Sequence, residues 1–189
     1  MLLNGNFVKE KAIFLDRDGV LNKPNLISNK PFAPNVFEDF ILYEDAKDVL
    51  QVFKKFFFKL IVVTNQKDVG KGIMSKSILE KMHTLLKKQM PIDEILVCTC
   101  IDECDCYKPN PGMLLEAKKK WNLDIDNCFI IGDSWRDIGA GINFGCKTIF
   151  IDRKYNMPMP YEPDFIVSSL SEAKNLIIKL NKESEYESS

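Results

Sequence analysis

The sequence predicts an α/β protein: a doubly wound parallel sheet of the Rossmann type, with helices on both faces and no sizeable cap domain. Three observations lead there. Short, nearly continuous apolar runs at Lys11–Asp16, Leu60–Thr64, Ile92–Cys98, Cys128–Gly132 and Lys147–Ile151 suit strands buried on both faces. Stretches with helical apolar spacing separate them. Most of these runs end in a polar or acidic residue, and parallel sheets bind ligands beyond the carboxyl ends of their strands.

The first strand, Lys11–Asp16, runs into Asp16-Arg17-Asp18-Gly19, which puts two carboxylates at a strand tip and a turn-permitting glycine after them. Asn22–Tyr43 follows, a connection holding Pro24, Pro31 and Pro34 that is too irregular for a separate cap. Glu44–Phe58 reads as a helix with acids early and lysines late, in keeping with its dipole. Beyond the Leu60–Thr64 strand, Lys67–Gly72 is a loop. Ser75 or Ser77 opens a helix to about Met90, and Ser77 and Glu80 have capping-box spacing. After Ile92–Cys98, Asn110-Pro111-Gly112 starts a helix that Met113–Trp121 continues. Ser134–Phe144 is a helix closed by Gly145, and Phe165–Val167 adds a short edge strand. Ser171–Asn181 is the last helix.

At 189 residues and 46% hydrophobic, the chain suffices for one domain that buries about 70% of its unfolded surface. That domain is expected over residues 1–182, followed by a tail at 183–189 whose Ser- and Glu-rich composition predicts disorder. A net charge of −1 lacks the basic field of a nucleic-acid protein. Neither the opening MLLNGNFVKEKAIF nor any later run has the composition of a signal peptide or a membrane span, so a cytoplasmic monomer is expected.

The residues expected at the strand ends form a coherent chemical set. Asp16 and Asp18, Thr64 and Asn65, Lys108, and Asp133 supply a carboxylate nucleophile, a second acid, a hydroxyl, an ammonium and a further carboxylate. Such a set can hold Mg²⁺ and transfer a phosphoryl group. Asp137 is read either as a helix cap or as a support near the metal. His83, the only histidine, sits on a helix as a surface or half-buried residue and is a poor base candidate. Trp135 and Arg136 are given no catalytic role.

Four of the six cysteines, Cys98, Cys100, Cys104 and Cys106, crowd into one short loop, a ligand set that suits tetrahedral Zn²⁺. Reduced free thiols are the alternative. No position is left open, so zinc there is structural, with the task of holding the loop that delivers Lys108. Cys128 and Cys146 stand apart as buried free thiols.

The LDRDG of Leu15–Gly19, Thr64 after an apolar strand, Lys108 in YKPNPG and Asp133 in GDSWRD match, in order, the four motifs of the haloacid dehalogenase superfamily, which the chain resembles over about Ala12–Asp152. The resemblance implies that Asp16 attacks phosphorus and that Asp18 is the general acid and base. It implies that Thr64, Asn65 and Lys108 grip the phosphate, and that Mg²⁺ is held by Asp16, the Asp18 backbone carbonyl and Asp133. The cysteine loop, the TNQ at Thr64–Gln66 and the KPNPGM at Lys108–Met113 resemble the heptose bisphosphate and histidinol phosphate phosphatases of that superfamily.

Three departures stand out. Cys100 replaces a usual histidine in a shortened cysteine spacer, Tyr107 replaces the arginine usual before the lysine, and Lys67-Asp68 replaces a typical Ser-Gly. The implied activity is removal of the C7 phosphate from a heptose bisphosphate. Histidinol phosphate or a nucleic-acid 3′ end is the alternative substrate. A receiver-like phosphoacceptor switch or a zinc-loop binding module is the alternative class. Asp18 discriminates, because an acid/base two residues after the nucleophile favours rapid dephosphorylation.

Overall fold

A computed structural model describes residues 9–102 and 104–187. Six strands form one parallel sheet: β1 (Ala12–Leu15), β4 (Lys59–Asn65), β5 (Glu94–Cys98), β6 (Phe129–Gly132), β7 (Lys147–Ile151) and β8 (Phe165–Val167). Their spatial order is β5-β4-β1-β6-β7-β8. β1 lies between β4 and β6, with Phe14 opposite both Ile61 and Ile130. The chain therefore winds outward from β1 in both directions, and the crevice where it changes direction opens above the tip of β1.

Strands this apolar are explained by what covers them. Ile13, Leu15, Leu60, Val62 and Ile131 pack into one core with buried residues of α1 (Ala46–Lys55), α3 (Lys76–Gln89) and α6 (Leu170–Glu187). Ala12, Phe14, Ile61, Val63 and Ile130 form the other, against α4 (Gly112–Trp121) and α5 (Trp135–Phe144). Alternate residues of one strand thus feed opposite cores.

Several elements differ from expectation. The connection after β1 is not irregular throughout: β2 (Asn25–Ile27) and β3 (Lys30–Phe32) pair as an antiparallel hairpin. Its two-residue turn, Ser28 and Asn29, has φ of 50° and 58°, the left-handed pair that fits the twist of a tight hairpin. α1 ends at Lys55, and Phe57 turns at φ 62°, exposing its ring while Phe58 enters the core. A single turn, α2 (Lys67–Gly70), occupies the expected loop. Ser75, not Ser77, caps α3, its hydroxyl accepting from Ile78 N–H. α6 continues to Glu187, through most of the segment whose composition predicts a disordered tail. Charged residues at helical spacing serve an exposed helix as well as a tail, and Lys179 and Glu183 pair one turn apart at 3.9 Å. Ser188 and Ser189 lie outside the described residues.

Candidate active site

Four segments converge above the tip of β1. Asp16 follows the strand directly, and its backbone N–H donates to Ile131 O of β6 at 3.0 Å, so the sheet itself fixes its position. Asp133 ends β6. Gly19 (φ 84°) lets the chain fold against it: a Cβ there would meet Asp133 Oδ2 at 1.6 Å. Lys108 arrives from the cysteine loop, 2% exposed. Its ammonium reaches Asp16 Oδ1 (3.0 Å), Asp137 Oδ1 (2.5 Å) and Val63 O (2.7 Å). Asp137 caps the start of α5 and also binds Lys108. Its Oδ2 accepts from the Ser134 N–H (3.1 Å) and hydroxyl (2.7 Å) at the start of α5, while Oδ1 holds Lys108.

Crowding these carboxylates away from water raises their cost as anions. Burial first, then Asp137, pushes Asp16 up to about 7, against the opposing pull of Lys108. Burial and the Asp16, Asp137 and Asp18 charges hold Asp133 well above the usual carboxylate range. Burial works against the charge on Lys108, but Asp137 and Asp16 outweigh it and raise its pKa. Three acids therefore share one ammonium. One carboxylate oxygen from each of Asp16, Asp133 and Asp137 lies within 4.8 Å of the others, a donor set of the hard, oxygen-only kind that a divalent cation relieves.

Asp18 is held by residues that sequence reasoning passed over. Arg17, fully buried, donates to it from Nε (3.2 Å) and Nη2 (3.0 Å to each oxygen), Asn22 Nδ2 donates at 2.9 Å, and Gln66 Nε2 at 2.8 Å. The same Gln66 amide group donates to Thr64 Oγ1 at 2.9 Å, which ties the buried Thr64 to the acid. Arg17 Nη1 also lies 3.2 Å from His83 Nε2. Burial, then the Arg17 charge, lowers His83 to about 4, so the ring is neutral and is no proton store near pH 7. The available signal was weak: an arginine between two aspartates reads as solvent-facing until its burial is seen.

Asn65 sits on the cleft wall, and its side-chain amide spans the Lys108 backbone. Nδ2 donates to Lys108 O, and Oδ1 accepts from Lys108 N, both at 3.1 Å. The cleft above Asp16 and Asp133 is walled by Pro31 and Phe32 of the hairpin, by Tyr107, and by Arg136 and Met157 on the far side.

The four loop sulfurs all lie within 4.8 Å of one another. Cys106 approaches Cys98 at 2.7 Å and Cys104 at 3.3 Å, Cys98 and Cys104 are 3.5 Å apart, and Cys100 and Cys106 3.8 Å. Cys100 and Cys104 are in disulfide contact. Burial and the neighbouring Cys98 push Cys106 up to about 11. Gly112 admits no side chain beside the loop, since a Cβ would meet Asp105 O at 2.2 Å.

A carboxylate at the central strand tip, an acid two residues on and a buried lysine shared between acids match the arrangement of a phosphohydrolase of the haloacid dehalogenase kind. The HAD-hydrolase-like family matches residues 105–173. A D-glycero-alpha-D-manno-heptose-1,7-bisphosphate 7-phosphatase of Campylobacter jejuni is 33% identical over 149 residues, covering 76% of this chain and 83% of the relative. The D-glycero-beta-D-manno-heptose-1,7-bisphosphate 7-phosphatase of Escherichia coli is 29% identical over 188 residues, 90% and 95% of the two chains. The chain belongs to this family of phosphatases. The crystal structure of a D,D-heptose 1,7-bisphosphate phosphatase from B. bronchiseptica, complexed with magnesium and phosphate, shares the fold: TM-score 0.74 at 22% identity, covering 90% of this chain and 98% of that one.

Proposed function

We propose that this phosphatase removes the C7 phosphate of a D-glycero-D-manno-heptose 1,7-bisphosphate through an aspartyl phosphate on Asp16. The observation that carries the reading is the meeting of Asp16, Lys108, Asp137 and Asp133 above β1, with Asp18 on the same turn. The Asp16 carboxylate attacks phosphorus as the bond from phosphorus to the sugar oxygen breaks, and Asp18 gives its proton to that departing oxygen. Water then attacks the acyl phosphate, with Asp18 taking the proton, so that Asp16 and inorganic phosphate are regenerated. Arg17, Asn22 and Gln66 orient Asp18 for both steps, and Lys108 offsets negative charge on the transferring group. Thr64, behind the cleft, and the backbone after it steady the phosphate pocket.

Mg²⁺ suits Asp16, Asp133 and the Asp18 backbone carbonyl, where three buried acids have a single ammonium between them, and it would supply charge neutralisation between nucleophile and substrate. Asp137 supports the site by fixing Lys108. Zn²⁺ suits the thiolates of Cys98, Cys100, Cys104 and Cys106, because all four sulfurs converge within 4.8 Å of one another; with zinc bound, Cys100 and Cys104 would be reduced ligands and not a bridged pair. Its role is to hold the loop at 98–106 within one catalytic domain, in a cytoplasmic monomer.

The test is phosphate release by the purified protein with Mg²⁺ from heptose bisphosphate, histidinol phosphate and a 3′-phosphorylated oligonucleotide. Selective, EDTA-sensitive release from heptose bisphosphate is expected. Release from one of the others alone would move the substrate while leaving Asp16 and Asp18 in their roles.

A further inference from the structure

A sugar bisphosphate brings two dianions to the cleft, and only one is cleaved. The floor has no cation to spare for the second. Lys108 is divided among Asp16, Asp137 and Val63 O, and Arg17 is buried beneath, bonded to Asp18 and His83. The residue directly before that lysine is Tyr107, which brings no cation to the cleft it lines. A second phosphate therefore needs a positive group elsewhere on the wall.

Arg136 supplies one. It stands in the first turn of α5, lines the same cleft as Asp16, Asp18 and Tyr107, and forms no ion pair among the described residues. Its guanidinium carbon lies 4.5 Å from the centre of the Trp135 ring, and that indole stacks on Tyr161 at 6.1 Å with an interplanar angle of 22°. An aromatic stack restrains a guanidinium without consuming its in-plane donors, which leaves the fork free for an oxyanion. Tyr107 lines the same cleft, and the Lys67 ammonium lies 5.8 Å from the centre of its ring.

We infer that Arg136 is the specificity-determining residue that receives the phosphate left uncleaved. The inference rests on the substrate being a sugar bisphosphate.

The experiment compares kcat/KM for heptose 1,7-bisphosphate with that for heptose 7-phosphate, which lacks the distal group, in the wild type, Arg136→Ala and Arg136→Lys. The wild type prefers the bisphosphate. Arg136→Ala reduces that preference ratio by about 30-fold, chiefly through KM, the scale of a lost charge-assisted bond, and Arg136→Lys restores part of it. Using the ratio removes any common loss from imperfect folding, and circular dichroism of each variant checks the fold directly. A preference that survives intact in Arg136→Ala overturns the inference alone. A wild-type enzyme without the preference overturns the substrate reading beneath it.

Discussion

The floor of the cleft and its rim are built on opposite plans. On the floor, Lys108, Asp133 and Asp137 are nearly or wholly buried, Asp16 is half-buried, and Lys108 holds Asp16 at 3.0 Å and Asp137 at 2.5 Å. Asp16 and Asp133 follow strand tips, Asp137 stands at a helix start and Lys108 comes from the loop between β5 and α4. On the rim, Phe32, Tyr107, Arg136 and Met157 belong to a hairpin, a loop, a helix surface and a connecting segment, all partly open to solvent. The floor has too few cations for its acids, while the rim holds a guanidinium with no acid. On the function proposed above, the difference is a division of labour: the floor would do chemistry common to any phosphomonoester, and the rim would decide which one enters.

That division can be broken most sharply at the nucleophile. Asp16→Asn should lower turnover of every phosphomonoester by about 10⁴-fold or more, measured as phosphate release, because the amide cannot form the acyl phosphate. A loss confined to one substrate would assign Asp16 to the rim. A smaller effect is expected at the cysteine loop, which reaches the floor through Lys108. Cys106→Ser should remove bound zinc, lower Tm by about 5 °C and reduce kcat/KM about 10-fold. The reduction should be equal for heptose bisphosphate and heptose 7-phosphate, with metal content read in parallel. Unequal losses would place the loop on the selecting side.

The smallest effect lies beneath the floor, at His83. Its pKa, lowered from 6.5 to about 4, means that the folded protein keeps a neutral ring while the unfolded chain takes up a proton as pH falls below 6.5. Its contribution to stability is thus complete above pH 6.5 and is lost on the way down to pH 4. After allowance for its partial exposure, the drop should amount to about 1–2 kcal/mol in urea unfolding, and His83→Gln should flatten it.

The floor was legible in the sequence because its determinants are local. A run buried on both faces must end, and the polar residue that ends it must stand at the sheet's edge, so Asp16, Thr64 and Asp133 announce themselves. Lys108 was legible through its neighbours, the cysteines and Pro109. The rim was not. The hairpin strands are three residues each, include Pro31, and leave Leu26, Ile27 and Phe32 exposed, so no alternation marks them. Arg136 looks like any helix-surface arginine until the sheet order sets β6 beside β1. Arg17 misled in the opposite sense, since a charge between charges conceals complete burial. Asn65 was placed at the phosphate, yet its side chain spans the Lys108 backbone, a partner 43 positions along the chain that no local pattern reveals.

The three acceptors around the Lys108 ammonium carry one more consequence. Attack by an amine on an acylating or carbonyl reagent needs a nitrogen lone pair, and this nitrogen keeps a proton toward each of Val63 O, Asp16 and Asp137. Its raised pKa and near-complete burial leave almost no free base at neutral pH. Among the many lysines of the chain, the one nearest the chemistry is therefore shielded from nonenzymatic acetylation and glycation.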